Sequence, residues 1–174
     1  MDTRKFAMNY GTVLGLCLAL IALLLWVLDV DEQTSIIPSV INNLLVIGFL
    51  FYSVSYYRDN FNNGIIAYSQ SLKIGTSVAF FSSVIMAFYT FFYISYLAPD
   101  MLVEIINRTE QAILQSNPEI SDEELDLALE MTAKFTQPHW LMIMGILGGT
   151  FMGFFYSLII SFFVKSDIAN NKVK

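Results

Sequence analysis

Four long stretches of the sequence contain no charged side chain, and short polar segments separate them. An α-helix rises about 1.5 Å per residue and a bilayer core is about 30 Å thick, so about 20 apolar residues can cross it. The uncharged stretches have lengths of 23, 25, 26 and 30 residues and run over Phe6–Leu28, Gln33–Tyr57, Ile74–Pro99 and Phe135–Val164. The pattern therefore predicts four transmembrane helices, at about 6–28, 36–57, 74–97 and 140–164.

The segment 98–139, between the third and fourth spans, is the longest polar part of the sequence. Apolar residues recur at helical spacing over 101–113, which predicts an amphipathic helix of about three turns. An Asn-Pro pair then ends this helix. Ser121 and Glu124 have the spacing of a capping box, which predicts a second helix over Asp122–Phe135. We expect these two helices to form a hairpin whose apolar edge packs on another surface.

The other connections carry local signals of their own. Pro38 is tolerated in the first turn of the second span. The segment Asp59–Gly64 is rich in asparagine and glycine, which accept left-handed backbone. Ile65–Lys73 is interpreted as a short interfacial helix before the third span. A signal peptide is rejected for the first span, because its apolar run is too long and ends without a small-residue cleavage site.

The composition agrees with four spans and leaves room for little else. Hydrophobic residues make up 56% of the 174 residues and charged residues 14%, against about 25% charged in soluble domains. The predicted fold class is all-α: a transmembrane four-helix bundle with an extracytoplasmic helical hairpin between its third and fourth helices. We expect a single integral membrane domain over residues 1–174.

The charges differ in sign on the two sides of the predicted membrane. One side, formed by the two ends of the sequence and the second connection, carries seven Lys and Arg against three Asp. The other side carries two bases against twelve acids. Because Lys and Arg in short loops stay in the cytoplasm, both termini are predicted to be cytoplasmic and the acidic loops to face outward. Trp26, Trp140 and Tyr56 fall at the expected interfaces, where amphipathic rings prefer to lie.

Small side chains recur every four residues on three of the four spans. Such residues let membrane helices approach closely, which matters because the hydrophobic effect hardly favours helix association between lipid tails. Two interpretations stay open: packing within one chain, or a homodimer interface on the last span. The predicted helix-packing residues are Gly11, Gly15, Gly75, Ala79, Ser83, Gly145, Gly149 and Gly153.

Candidates for chemistry are isolated from one another in the sequence. Cys17 and His139 each stand alone, so a packing residue and an interfacial anchor are the simpler interpretations. The acids of 122–130 lack the glycine and the ligand spacing of a calcium loop, and they fit a solvated helix face. No span carries an ionisable residue near its middle, where such residues mark ion pathways.

We therefore predict no catalytic residue, no metal site, no cofactor and no nucleic-acid partner, and we do not expect an enzyme. The rival hypothesis is an enzyme at the outer interface, with His139 as its general base and carboxylates of the 98–139 segment beside it.

Several short motifs follow one another along nearly the whole chain. They are Phe6–Gly15, Arg58-Asp59 with Asn63-Gly64, Tyr68–Gly75, Tyr96–Asp100, the Glu-rich stretch before Phe135–Pro138, and the glycine-rich last span. In this order they resemble a family of short bacterial membrane proteins that is known only as a domain of unknown function. The resemblance implies a four-span helical protein with a large loop between spans three and four. It implies no activity and no site residues.

The sequence thus predicts a multi-pass protein of the bacterial cytoplasmic (inner) membrane with unknown molecular activity. Its expected role is structural or accessory, through helix packing in the lipid bilayer with itself or with a partner membrane protein. The alternative is a transporter or channel component for a small uncharged or lipid-like solute, which would need a cavity lined by Ser and Thr.

Overall fold

The computed structural model describes residues 2–28 and 36–166. Within these ranges every regular element is helical, which confirms the predicted all-α class. The acids predicted to face outward between the first two spans lie in 29–35, outside the described residues. The elements are α1 (Thr3–Val27), α2 (Ile37–Phe61), α3 (Tyr68–Phe92), a π-helical turn (Tyr93–Leu97) that directly continues α3, α4 (Met101–Ser116), α5 (Asp122–Phe135) and α6 (Pro138–Val164).

Four helical segments are long and apolar enough to cross a membrane, and their positions agree with the four predicted spans. Their outward side chains are mostly large and apolar. Five such residues on α6 are 45–62% exposed: Leu147, Phe151, Phe155, Ile159 and Phe162. Water disfavours exposed apolar surface, whereas lipid tails do not. The segments are Thr3–Val27, Pro38–Phe61, Tyr68–Leu97 and Pro138–Val164.

The predicted local signals fix several helix ends. The Ser121 side chain accepts a hydrogen bond from the Glu124 amide while the Glu124 carboxylate accepts from the Ser121 amide, so the predicted capping box is present. Pro38 lies in the first turn of α2, where its missing N–H costs nothing. After α2, Asn63 and Gly64 have φ angles of 52° and 76°, which is the left-handed backbone expected of that turn.

Three predicted boundaries are wrong. Ile65–Lys73 is not a separate helix, because α3 starts at Tyr68 and runs without a break through residue 73. No proline or glycine lies between Tyr68 and Lys73, so nothing in this stretch interrupts the helix. The last helix-breaking signal before the third span is the Asn63-Gly64 turn. The last span begins at Pro138, two residues before the prediction, with proline at a position that suits a helix start. Helix α4 has 16 residues, which is more than the three turns expected.

The chain divides into two compact units. The first comprises Met1–Met86 and Ile146–Lys174, and the second comprises Ala87–Gly145. In the first unit, α1, α2, α3 and α6 all contribute side chains to one buried apolar cluster. Its fully buried large members are Phe6, Leu14, Leu50, Val54, Ile66, Ile74, Val78 and Val164. The second unit contains the hairpin of α4 and α5, and neither of these two helices has a buried residue.

Candidate functional site

The interface between α3 and α6 brings six small residues together in three facing pairs. Gly75 faces Ser157, Ala79 faces Gly153 and Ser83 faces Gly149, so each step of four along α3 matches a step of four back along α6. The two helices are therefore antiparallel at this contact, which we call the α3–α6 interface.

At all three pairs a Cβ atom added to the glycine would lie inside van der Waals contact with the facing residue. A Cβ atom added at Gly75 would lie 2.5 Å from the Ser157 hydroxyl oxygen, well inside van der Waals contact. A Cβ at Gly153 would overlap the Ala79 methyl group. Alanine has no rotamer by which it can move away, so this position tolerates only glycine unless the helices separate.

The interface between α1 and α3 uses the other two predicted glycines of the first unit. A Cβ at Gly11 would lie 2.6 Å from the carbonyl oxygen of Val78, and one at Gly15 would lie 2.9 Å from that of Ser82. Both contacts are with backbone, which yields less easily than a side chain. Since Gly11 and Gly15 meet successive turns of α3 in the same order, α1 and α3 run parallel.

Gly145 differs from the other predicted packing residues. Nothing lies within 4 Å of the position that its Cβ would occupy, and the same holds for Gly48 and Gly148. The structure therefore brings seven of the eight predicted residues into close helix contacts and leaves the eighth open. The four-residue repeat on α6 could not reveal this, because it continues unchanged through Gly145.

Hydroxyl groups inside the first unit bond mainly to their own helices. Ser83 Oγ donates to the Ala79 carbonyl at 2.8 Å, and Ser157 Oγ donates to the Gly153 carbonyl at 2.6 Å. Such bonds satisfy a buried hydroxyl without providing a ligand site. The hydroxyls of Ser71 and Ser161, both fully buried, have no partner among the described residues.

The end of α6 is fastened to the α2–α3 connection. The Ser166 amide donates to the Ile66 carbonyl at 3.1 Å, and the Ile66 amide donates to Ser166 Oγ at 3.1 Å. Arg58 Nη1 donates to the Val164 carbonyl at 3.2 Å while the same guanidinium binds Asp59 through two further contacts. Arg58 entered the sequence analysis as a cytoplasmic charge and as part of a family motif, and its role as a cap for the Val164 carbonyl at the end of α6 was not predicted.

Aromatic rings join α1 to α2. Tyr10 lies 5.8 Å from Tyr56 and 6.1 Å from Phe49 between ring centroids, and Phe6 lies 5.0 Å from Tyr57. Tyr56 was predicted to lie at the membrane interface, but its pairing with α1 was not predicted. The signal available for finding the pairing was the spacing of aromatic residues at 49, 52 and 56, which puts them on one face of α2.

An open cavity of about 210 Å³ lies between α1, α2 and α3. One wall is apolar and comes from α1 and Met86, while the opposite wall includes the polar residues Ser39 and Asn42 of α2. The lining residues are Leu18, Ile21, Ala22, Leu25, Pro38, Ser39, Asn42 and Met86.

The isolated chemical candidates remain separate from one another in space. His139 lies in the first turn of α6 with its ring 5.8 Å from that of Trp140. Cys17 is a half-buried free thiol on α1. Across residues 2–28 and 36–166, no group of three His, Cys, Asp or Glu side chains is placed to hold a metal ion.

The family of this chain follows from a comparison with known proteins. The model of a family described as Protein of unknown function (DUF4199) matches residues 9–166. The chain belongs to this family. The resemblance to a domain of unknown function is thereby confirmed, and the match covers α2 to α6 entirely and most of α1. No curated protein and no solved structure matches the chain.

Proposed function

We propose that this DUF4199 protein is an integral protein of the bacterial cytoplasmic membrane with a structural or accessory role, exerted by packing its spans against another copy or a partner membrane protein. The observation that carries the proposal is the close contact of α3 with both α1 and α6. At Gly11, Gly15 and Gly153 a single added carbon has no room. Contacts this close leave no path for a solute between α3 and either neighbour at these positions.

Two glycines with open space supply surfaces on which such a partner would pack. Gly48 lies in the middle of α2 beside the exposed Leu44 and Phe51, and Gly148 lies on α6 beside the exposed Leu147. Small residues on a lipid-facing surface permit close approach of another helix, and interhelical contacts in membranes depend on that approach.

The orientation proposed has both ends of this sequence in the cytoplasm and the α4–α5 hairpin outside. The parallel contact of α1 with α3 and the antiparallel contact of α3 with α6 support only that both ends share one side, because four alternating crossings return the chain to its starting side. The choice of the cytoplasm for that side rests on its excess of Lys and Arg. A fluorescent protein at the C-terminus should be active and a periplasmic phosphatase there inactive. The reverse result would refute this orientation.

Crosslinking in the native membrane, followed by mass measurement of the extracted complex, tests the accessory role. We expect a species heavier than one chain, which Gly148→Phe or Gly48→Phe reduces by blocking close approach. Leu20→Phe is the matched control, since it adds a ring to an already bulky exposed position on α1, outside the surfaces around Gly48 and Gly148. A lone monomer under every crosslinking condition would contradict the proposal.

The second candidate is a transporter component for a small uncharged or lipid-like solute, and the cavity beside Ser39 and Asn42 favours it. Its mixed lining would suit an apolar molecule with one hydrogen-bonding group. Liposomes containing the protein should then show solute flux, and Ala22→Phe should reduce it by filling the cavity. Flux equal to that of empty vesicles would dismiss this candidate.

An enzymatic role is not part of the proposal. The general base suggested for an enzyme is His139. Its ring contacts the indole of Trp140, which is not a nucleophile. His139→Ala should therefore leave the phenotype of the wild-type gene unaltered in a complementation assay. A loss of function with normal protein levels would reopen the enzymatic hypothesis.

A further inference from the structure

Helix α5 carries three large apolar side chains that stay exposed, although the ring of Phe135 also contacts that of Trp140 edge to face. Leu127, Met131 and Phe135 are 61%, 49% and 45% exposed. Their spacing of four places them along one side of the helix, which we call the α5 docking face. Leu125 and Leu129 lie on a different side and are partly covered. The hairpin thus covers one side of α5 and leaves a second apolar side open.

Carboxylates border this face. Glu123, Glu130 and Lys134 fall along one edge of it in helical projection, and Glu124 lies at its N-terminal end. The three carboxylates are exposed, and in the described parts of the chain no cation, Lys134 included, forms an ion pair with them. The segment 98–137 has nine acids against two bases, a net charge of −7; the acids are Asp100, Glu104, Glu110, Glu119, Asp122, Glu123, Glu124, Asp126 and Glu130.

This charge decides between the candidate occupants. A second copy of the hairpin carries the same −7, and facing like charges within a Debye length of about 8 Å repel. An anionic lipid surface would repel Glu123 and Glu130 in the same way. A helix that presents an apolar strip flanked by Lys or Arg would cover the three side chains and pair with the bordering carboxylates.

We propose that the α5 docking face binds a basic amphipathic helix of a partner protein. The inference rests on the accessory role proposed above and adds the chemistry of the partner. The apolar strip supplies the affinity, since burial of large side chains at the centre of an interface dominates binding energy. The carboxylates supply orientation and attraction over a distance, so binding weakens as salt is raised.

The test uses the full chain in nanodiscs of neutral phosphatidylcholine. The probe is a synthetic helix with leucine at i, i+3, i+4 and i+7 and lysine on both flanks, and its twin has glutamate in place of lysine. We expect the lysine peptide to bind saturably, one per chain and more weakly at high salt, and the glutamate twin not to bind. Empty nanodiscs should bind neither peptide.

Two sets of variants locate the binding. The triple change Leu127→Gln, Met131→Gln and Phe135→Gln keeps the charge and should weaken binding at least about tenfold. The control Val103→Gln with Leu114→Gln removes exposed apolar side chains from α4 and should change affinity less than about twofold. The double change Glu123→Lys with Glu130→Lys should bind the glutamate peptide instead, which a misfolded hairpin could not do.

Any of three results would overturn the inference. The triple variant could bind as well as the wild type, or the glutamate twin could bind equally to the wild type. In a Cys17→Ala chain, a fluorophore at Met131→Cys could report a lipid environment before peptide is added. The accessory role can fail on its own. If the chain is always monomeric in crosslinking yet binds the lysine peptide, the proposed packing of spans is refuted and this inference stands.

Discussion

The α3–α6 interface and the α4–α5 hairpin are both pairs of antiparallel helices, yet they depend on different residues. The first uses glycine, alanine and serine, with Gly153 against Ala79 at its tightest point. The second uses larger apolar residues such as Leu125 and Leu129, and buries none of them fully. The difference follows the solvent expected for each pair. Lipid gives apolar side chains no reason to leave it, so close backbone approach has to stabilise the first pair. Water does favour burial, so loose contact between amphipathic faces suffices for the second.

The way each helix is ended differs as well. Ser121 and Glu124 cap α5 with side chains next to it in sequence. At the end of α6, Arg58 donates to the Val164 carbonyl and the Ile66 carbonyl accepts from the Ser166 amide, and both partners lie about 100 residues away in sequence. Local sequence therefore defines the start of α5, whereas the end of α6 is held by contacts that only the folded chain provides.

The largest effect should come from enlarging glycines of the α3–α6 interface. Overpacking costs about 1–3 kcal/mol, and Gly153→Leu should reach the upper end because the Ala79 methyl cannot rotate away. Gly149→Leu should cost less, because the Ser83 hydroxyl that it meets belongs to a side chain that can rotate. Unfolding in mixed micelles measures both.

Gly145→Leu is the matched control for this series, because nothing lies within 4 Å of its Cβ position although it belongs to the same four-residue repeat. It should leave the free energy of unfolding within about 0.5 kcal/mol of the wild type. Equal costs at 145 and 153 would mean that close packing does not distinguish these two glycines of α6.

A smaller effect is expected from the capping box of the hairpin. Ser121→Ala should lower the local stability of α5 by about 1 kcal/mol, because the Glu124 amide loses its acceptor. Hydrogen exchange of the first-turn amides of α5 in the full chain measures this. Ser121→Asp should restore protection, since aspartate also accepts at a helix N-terminus. If Ser121→Ala increased exchange more in α6 than in α5, the effect would not be local.

The smallest effect concerns a single hydrogen bond between spans. The Tyr156 hydroxyl donates to the Asn43 side-chain oxygen, which joins α6 to α2. Interhelical hydrogen bonds in membranes contribute about 0.6 kcal/mol on average, so Tyr156→Phe should lower the free energy of unfolding by about that amount. A double-mutant cycle with Asn43→Ala isolates the pair. A coupling above about 2 kcal/mol would place this bond among the determinants of the fold.

The sequence predicts features whose causes lie within a few residues. The four spans follow from uncharged length, the start of α5 follows from Ser121 and Glu124, and the turn after α2 follows from Asn63 and Gly64. The hydrogen bonds from Arg58 to Val164 and between Ile66 and Ser166 could not be predicted, because they depend on how helices far apart in sequence approach. The four-residue repeat identified Gly149 and Gly153 but could not tell them from Gly145, since the repeat does not encode where the facing helix diverges.

The pairing of α3 with α6 also has a consequence for synthesis. Gly75 and Ala79 leave the ribosome more than 70 residues before Gly153 and Ser157. The groove that small residues form on α3, and that α6 fills, therefore stays empty while the hairpin is being translated. Chains that stop before α6 keep that groove open in the bilayer and lack the Ser166 bonds that fasten the last helix to Ile66. Truncated products should therefore be recognised by membrane proteases, while finished chains escape them.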